Sequence, residues 1–209
     1  WHYIEFANKE EIKKFKLETL IKELELKTIK SQINPHFIFN ALNSIRALVD
    51  EDPKRSRQAI TELSNILRSS IHSDKVEVSS LEKELAIVKD YLALEYIRFA
   101  DRLKIVYEIE PSTLHNQLPP MMLQTLVENA IKHGIDPLQQ GGEIHVTAAQ
   151  EADETLVVTV ADNGQGLSNW SNVGIGLQNI RDRLHTLFGR KAKLQLEENS
   201  PRGVVARIR

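Results

Sequence analysis

Ile60, Leu63, Leu67 and Ile71 follow one another at intervals of three, four and four residues, the spacing that lines one face of an α-helix. A second helical stretch runs from Pro35 to about Val49. Between the two, Asp50-Glu-Asp-Pro53 reads as a turn with Pro53 near the new helix start. Two amphipathic helices joined by so short a turn form an antiparallel hairpin. One such hairpin buries too little apolar surface to stand alone, so its completion is a four-helix bundle made with a second copy of the chain. A homodimer is therefore expected. Upstream, Asn8 to Ile33 is rich in Lys, Glu, Leu and Ile and has neither Gly nor Pro, which makes it strongly helical. Its apolar positions cover more than one face, so a dimeric signalling helix and a solvated amphipathic helix both fit it.

The character changes near Ser73. A short strand is expected at Val76 to Val78, a helix from Leu81 to about Phe99 with Ser79 or Ser80 as N-cap, and a strand from Lys104 to Ile109. Pro119-Pro120 is expected to open a helix running through His133. Gly141-Gly142 is a loop, and alternating runs at Glu143 to Ala149 and Leu156 to Asp162 read as paired strands. Gly174 to Phe188 reads as a loop leading into a helix, and strands at Lys193 to Glu197 and Val204 to Ile208 close the chain. The fold class is α+β, with helices on one face of a sheet rich in antiparallel pairs. Residues 1–72 form a helical unit and residues 73–209 a separate α/β unit.

Composition limits what the chain can serve. Lys and Arg number 27 against 29 Asp and Glu, a net charge of -2 that offers no general attraction to nucleic acid or to an anionic membrane. Any phosphate must be held locally. There is no cysteine, hence no disulfide framework and no thiolate metal site. No run of 18 or more apolar residues is present to span a bilayer. The chain begins at Trp1, and Trp1-His-Tyr-Ile-Glu-Phe6 has the aromatic character of a segment that follows a membrane interface. It reads as the cytoplasmic portion of a membrane sensor whose N-terminal sensor region lies elsewhere.

Three segments carry chemistry. Asp162-Asn-Gly-Gln-Gly166 ends an apolar strand, where glycines let the backbone turn sharply beside a ligand and an aspartate can accept from an exocyclic amine. The same residues also make an ordinary turn. Gly174-Ile-Gly-Leu-Gln-Asn-Ile-Arg181 brings a glycine loop into a helix N-terminus, which favours an anion there or is simply a cap. In Leu126-Val-Glu-Asn-Ala-Ile-Lys-His133, Asn129 lies at i,i+3 and i,i+4 from Lys132 and His133, setting an oxygen ligand for Mg²⁺ beside donors for phosphate. A plain solvated helix face would look alike.

In this order the three resemble the N, G1 and G2 boxes of the Bergerat-type ATP-binding fold, shared by histidine kinases, gyrases, Hsp90-class chaperones and mismatch-repair ATPases. The resemblance covers about Val76 to Arg209. Within that superfamily, Ser31-Gln-Ile-Asn-Pro-His-Phe-Ile-Phe-Asn-Ala-Leu-Asn43 is similar to the phosphoacceptor motif of the LytS-type sensor histidine kinases, and Asp90-Tyr-Leu-Ala-Leu-Glu-Tyr-Ile-Arg98 is similar to that family as well. The resemblance implies an autokinase using ATP and Mg²⁺. His36 would be the phosphoacceptor, and Asn40 would orient it or a water for dephosphorylation. Asn129 would hold Mg²⁺, Lys132 and His133 would lie near the phosphates, and Asp162 would recognise adenine. Gly164, Gly166, Gly174 and Gly176 would hinge a short lid, with Leu177 at the helix start. The partners implied are a second copy of the chain and the receiver domain of a response regulator, with no nucleic acid.

Two departures from the family pattern matter. Phe37 follows His36 where many histidine kinases carry an acidic residue, so no group is assigned to polarise the imidazole. Thr125 stands where the hydrolytic relatives place a glutamate, four residues before Asn129. The alternatives are an ATPase of the same fold that does not phosphorylate histidine, and a dimeric ATP-binding module without catalysis.

Overall fold

The computed structural model describes residues 34–72, 76–166 and 175–209; the helix expected from Asn8 to Ile33, the loop from 167 to Val173 and Gly174 lie outside them. Two compact units are distinguished, Trp1–Asn40 and Ala41–Arg209.

Helix α1 spans Pro35–Glu51. Asn34 caps it: its Oδ1 accepts from the backbone N–H of His36 at 3.1 Å and of Phe37 at 3.4 Å, and Pro35 occupies a position that needs no donor. Helix α2, Pro53–His72, repeats the device, with Asp52 Oδ1 accepting from the Arg55 N–H at 3.0 Å. Its apolar residues do not form one stripe. Leu63 and Ile66 are buried together with Ala59, whereas Ile60 and Ile71 are each 51% exposed. The buried face meets helix α3, Leu81–Phe99, where Asn65 Nδ2 donates to Asp90 Oδ2 at 2.9 Å and Arg55 Nη2 to the Ala93 carbonyl at 2.8 Å.

The strand expected at Val76 to Val78 forms instead at β1, Ser79–Ser80, which pairs antiparallel with β3, Gln117–Leu118. β-branched residues favour strands only where a neighbour pairs with them, and Val76 and Val78 stand exposed. Ser80 also caps α3, accepting from the Lys83 N–H at 3.4 Å.

The main sheet has five strands: β2 (Leu103–Ile109), β4 (Gly142–Gln150), β5 (Leu156–Asp162), β6 (Leu194–Glu198) and β7 (Val204–Ile208), in the order β2-β4-β5-β7-β6. Only β2 and β4 are parallel; the remaining pairs are antiparallel. One face is buried, by Ile144, Val146 and Ala148 of β4, Val158 and Val160 of β5, and Val204, Ala206 and Ile208 of β7. Since side chains alternate along a strand, Asp162 falls in phase with Val158 and Val160. The last residue of β5 therefore puts a carboxylate where the rest of the face puts aliphatic side chains, and Asp162 is 3% exposed.

Helix α4 starts later than the two prolines suggest, at Met122, after Met121 in the left-handed region with φ 65°. It runs only to Asn129 as an α-helix, and Ala130–Ile135 continue as a π-helix. No side chain of α4 itself caps its start. Glu84 of α3 does so from a distance, accepting from the Met121 N–H at 3.2 Å and facing the N–H groups of Met122 and Leu123 and the Ser79 hydroxyl. Helix α5 spans Ile175–Phe188.

Burial raises the Glu84 carboxyl from 4.5 to about 7, more than the amide donors lower it. Between those values the folded chain keeps a proton that the unfolded chain has released, so this group's stabilisation is complete below about pH 4.5 and lost as pH rises through about 7. The low His133 pKa described below has the opposite slope. The test is therefore the difference between the parent and Glu84→Gln in denaturant melts. That difference is expected to shift against the parent by on the order of 3 kcal/mol between about pH 5 and 8; an unchanging difference would show that Glu84 does not titrate there.

Candidate functional site

Asp162 sits at the end of β5, and the turn after it folds back over the π-helix. Asp162 Oδ1 accepts from the Gly164 N–H at 2.8 Å. The Gln165 N–H donates to the Gly134 carbonyl at 3.1 Å. A Cβ on Gly134 would lie 2.6 Å from Asp162 Oδ1, and one on Gly164 would lie 2.4 Å from the backbone of Gly134. The two glycines thus let two backbones and a carboxylate meet where any side chain would separate them. Desolvation raises the Asp162 pKa, and the N–H groups of Gly164 and Val204 oppose that.

The turn is braced from both sides. Asn163 Oδ1 accepts from the Glu143 N–H at 2.8 Å, and Asn199 Nδ2 donates to the Asp162 carbonyl at 2.7 Å. A Cβ on Gly203 would lie 2.0 Å from that same carbonyl oxygen. Gly134, Asn199 and Gly203 were not among the residues singled out from sequence. Gly134 has a local signal, since it directly follows His133, whereas Asn199 and Gly203 reach the site only through the pairing of β5 with β7.

Asn129 lies at the last α-helical position of α4. Its Nδ2 donates to the Thr125 carbonyl at 2.7 Å, which fixes the amide with Oδ1 as its acceptor end. Lys132 and His133 are both exposed on the π-helix. Desolvation, then the neighbouring Lys132, hold the His133 pKa below its usual value, so the imidazole is neutral at neutral pH. Glu128 turns away from this face: Gln124 Nε2 donates to its Oε1 at 2.7 Å, and burial raises its pKa to about 7. It is not poised as a base beside Asn129.

Gly176, in the first turn of α5, faces α4, where a Cβ would meet the Thr125 methyl at 3.0 Å. Leu177 is buried at 2% exposure and anchors α5. Arg183 of α5 donates to the Pro120 carbonyl at 3.1 Å, tying that helix to the segment before α4. Gly166 follows the turn with φ 83°. Asp162, Gly164 and Gly134 are thus in contact, Gly176 lies against the Asn129 helix, and Gly174 lies outside the described residues.

His36 and Asn40 belong to the unit Trp1–Asn40. His36 is exposed in the first turn of α1, and Asn40 Nδ2 lies 3.4 Å from each ring nitrogen.

The donor set suits a nucleotide: a buried carboxylate for an amine, backbone crossing close to it, and a helix end with an amide oxygen, a lysine and a neutral imidazole. Among the described residues no group of three or more His, Cys, Asp or Glu side chains could hold a metal ion. A divalent cation would then rely on Asn129 Oδ1, water and the ligand's own phosphates, the mode Mg²⁺ favours.

Family models match the chain in two stretches: "Histidine kinase" over residues 24–103, and "Histidine kinase-, DNA gyrase B-, and HSP90-like ATPase" over residues 118–209. Among curated relatives, the sensor protein LytS of Staphylococcus saprophyticus is 37% identical over 193 residues, covering 86% of this chain and 32% of that protein. The sensor histidine kinase/phosphatase LytS of Staphylococcus aureus strain MRSA252 is 37% identical over 194 residues, 87% of this chain and 33% of that one. The chain thus spans about a third of the length of these relatives. Among solved structures, the histidine kinase domain of the blue-light activated kinase from Erythrobacter litoralis EL346 superposes with a TM-score of 0.51 at 17% identity, over 88% of this chain and 89% of that one. That likeness establishes the fold.

Proposed function

The chain belongs to the histidine kinase family, and from that premise we propose that it transfers the γ-phosphoryl group of Mg-ATP to its own His36 and thence to an aspartate of a response-regulator receiver domain. The observation that carries this reading is the buried Asp162 carboxylate, held by the Gly164 N–H with the Gly134 backbone against it. That arrangement gives an adenine amine a fixed acceptor in a dry setting, where a hydrogen bond discriminates most strongly.

From that end the remaining roles follow. Asn129 Oδ1 would hold Mg²⁺, whose charge screens the phosphates, while Lys132 and the neutral His133 lie within the same helical turns. Gly164, Gly166, Gly174 and Gly176 flank the segment that would close over the nucleotide. His36 would attack as a neutral imidazole, which is nucleophilic at physiological pH. Asn40, whose Nδ2 lies 3.4 Å from each ring nitrogen, would orient that ring, or a water for dephosphorylation of the regulator, an activity that the name of the Staphylococcus aureus relative includes.

We assign residues 1–72 to dimerisation and phosphotransfer and residues 73–209 to ATP binding. The exposed Ile60 and Ile71 of α2 and Leu42 and Val49 of α1 would meet a second copy in a four-helix bundle. No described helix is long and apolar enough to cross a membrane. The membrane link we propose runs through an N-terminal sensor region, with this portion on the cytoplasmic side.

The direct test is incubation of the purified chain with γ-labelled ATP and Mg²⁺. The expected product is labelled protein whose label is lost in acid and kept in alkali, as a phosphoramidate requires. Release of inorganic phosphate with no labelled protein would establish the hydrolytic alternative instead, which the position of Thr125 and the orientation of Glu128 disfavour.

A further inference from the structure

We propose that Arg98 and Asp136 form a clamp that fixes the register of the π-helix Ala130–Ile135, making both positioning residues for the nucleotide. The proposal deepens the ATP-binding reading above and rests on it. Arg98, at the end of α3, uses its whole fork. Nε and Nη2 bond Glu95 Oε2 at 2.9 and 2.8 Å, and Nη1 bonds Asp136 Oδ1 at 2.7 Å. The guanidinium also lies 4.3 Å from the centre of the Phe99 ring, which holds its plane. Asp136 is the residue that closes the π-helix, its N–H donating to the Ile131 carbonyl five residues back at 2.8 Å.

A π-helix is a strained insertion in an α-helix, and it persists where something outside the helix holds it. If the extra residue were absorbed, every later side chain would rotate by about 100° around the axis. Gly134 would leave the Asp162 carboxylate, and the bond from Gln165 to the Gly134 carbonyl would break. The Asp162 end of the proposed nucleotide site thus hangs on this turn, and Asp136 is its last link. Neither Arg98 nor Asp136 touches the site itself. An ion pair this exposed adds little to global stability, so its removal should show in the site rather than in the melt.

Asp136→Ala leaves the bonds between Arg98 and buried Glu95 intact and is the main probe. It should weaken Mg-ATP binding in calorimetry about tenfold or more while lowering the melting temperature by less than about 5 °C. KM for ATP should rise with kcat at saturating ATP within about twofold, because the chemistry at His36 is untouched. Asp136→Asn keeps an acceptor oxygen for Arg98 and should restore most of the affinity. Amide exchange at residues 134–136 should speed up in Asp136→Ala and not in Asp136→Asn. Arg98→Met should match Asp136→Ala in affinity, and if it does not fold, Asp136→Ala alone decides. Parent-like ATP affinity in folded Asp136→Ala, or parent-like exchange at residues 134–136, overturns the clamp. A parent chain that binds no ATP overturns the kinase reading instead, and the exchange comparison still decides the clamp because it needs no nucleotide.

Discussion

His36→Gln is expected to take up no phosphate from γ-labelled ATP, a loss of roughly a thousandfold or more, while binding ATP and melting as the parent does. Glutamine keeps the bulk and polarity of the side chain but has no lone pair basic enough to attack phosphorus. The stability half of the expectation comes from position. His36 is exposed, and its ring contacts Asn40 at 3.4 Å, longer than a strong hydrogen bond. The capping bond from its backbone N–H to Asn34 does not depend on the side chain. Parent and variant are compared for label, for the acid lability of that label and for ATP affinity. Retained label in the variant would place the phosphoacceptor on another of the seven histidines.

Gly164→Ala is expected to cost about a hundredfold in ATP affinity, together with a lowered melting temperature. The new methyl would fall 2.4 Å from the Gly134 backbone, and backbone cannot swing aside as a side chain can. One of two things must move. Either the turn after β5 lifts, breaking the bond from the Gly164 N–H to Asp162, or the π-helix is pushed back and takes Lys132 and His133 with it. Both spoil the site. Gly189→Ala is the control: Gly189 also adopts a positive φ of 61°, yet a Cβ there meets nothing within 4 Å. It should cost about 1 kcal/mol of stability and leave ATP affinity alone. Equal ATP binding by Gly164→Ala and the parent would refute the contact of Gly134 with Gly164 as a part of the site.

Much of the fold is written locally. Ser80 caps α3 and Asp52 caps α2 because small polar residues stand where each helical pattern begins, and β5 ends at Asp162 because alternation ends there. The order of the three segments proposed to bind ATP was equally legible, since each carries its own glycine or asparagine signature. What failed was local preference without regard to partners. Val76 and Val78 have strand propensity but no neighbour, and Pro119-Pro120 mark a turn rather than the first helical residues. The stripe on α2 proved to be two faces because Leu63 and Ile66 turn toward α3, which no spacing within α2 could reveal. The site residues that sequence reasoning missed, Asn199 and Gly203, lie 37 and 41 residues beyond Asp162 and arrive through sheet pairing. The π-helix is of the same kind, for the Arg98 that bonds Asp136 at its end stands on another helix.

Helix α4, which carries Asn129, is eight residues long and owes its first turn to Glu84, 37 residues upstream. A helix so short does not persist in water by itself, and this one has no side chain of its own to begin it. It therefore cannot be a seed for folding. The chain between α3 and α4 must close first, and that closure brings β1 against β3 on the way. The helix that carries Asn129 is thus held by contacts distant in sequence and by the burial of Leu123, Leu126 and Val127, and it forms with the fold around it rather than ahead of it.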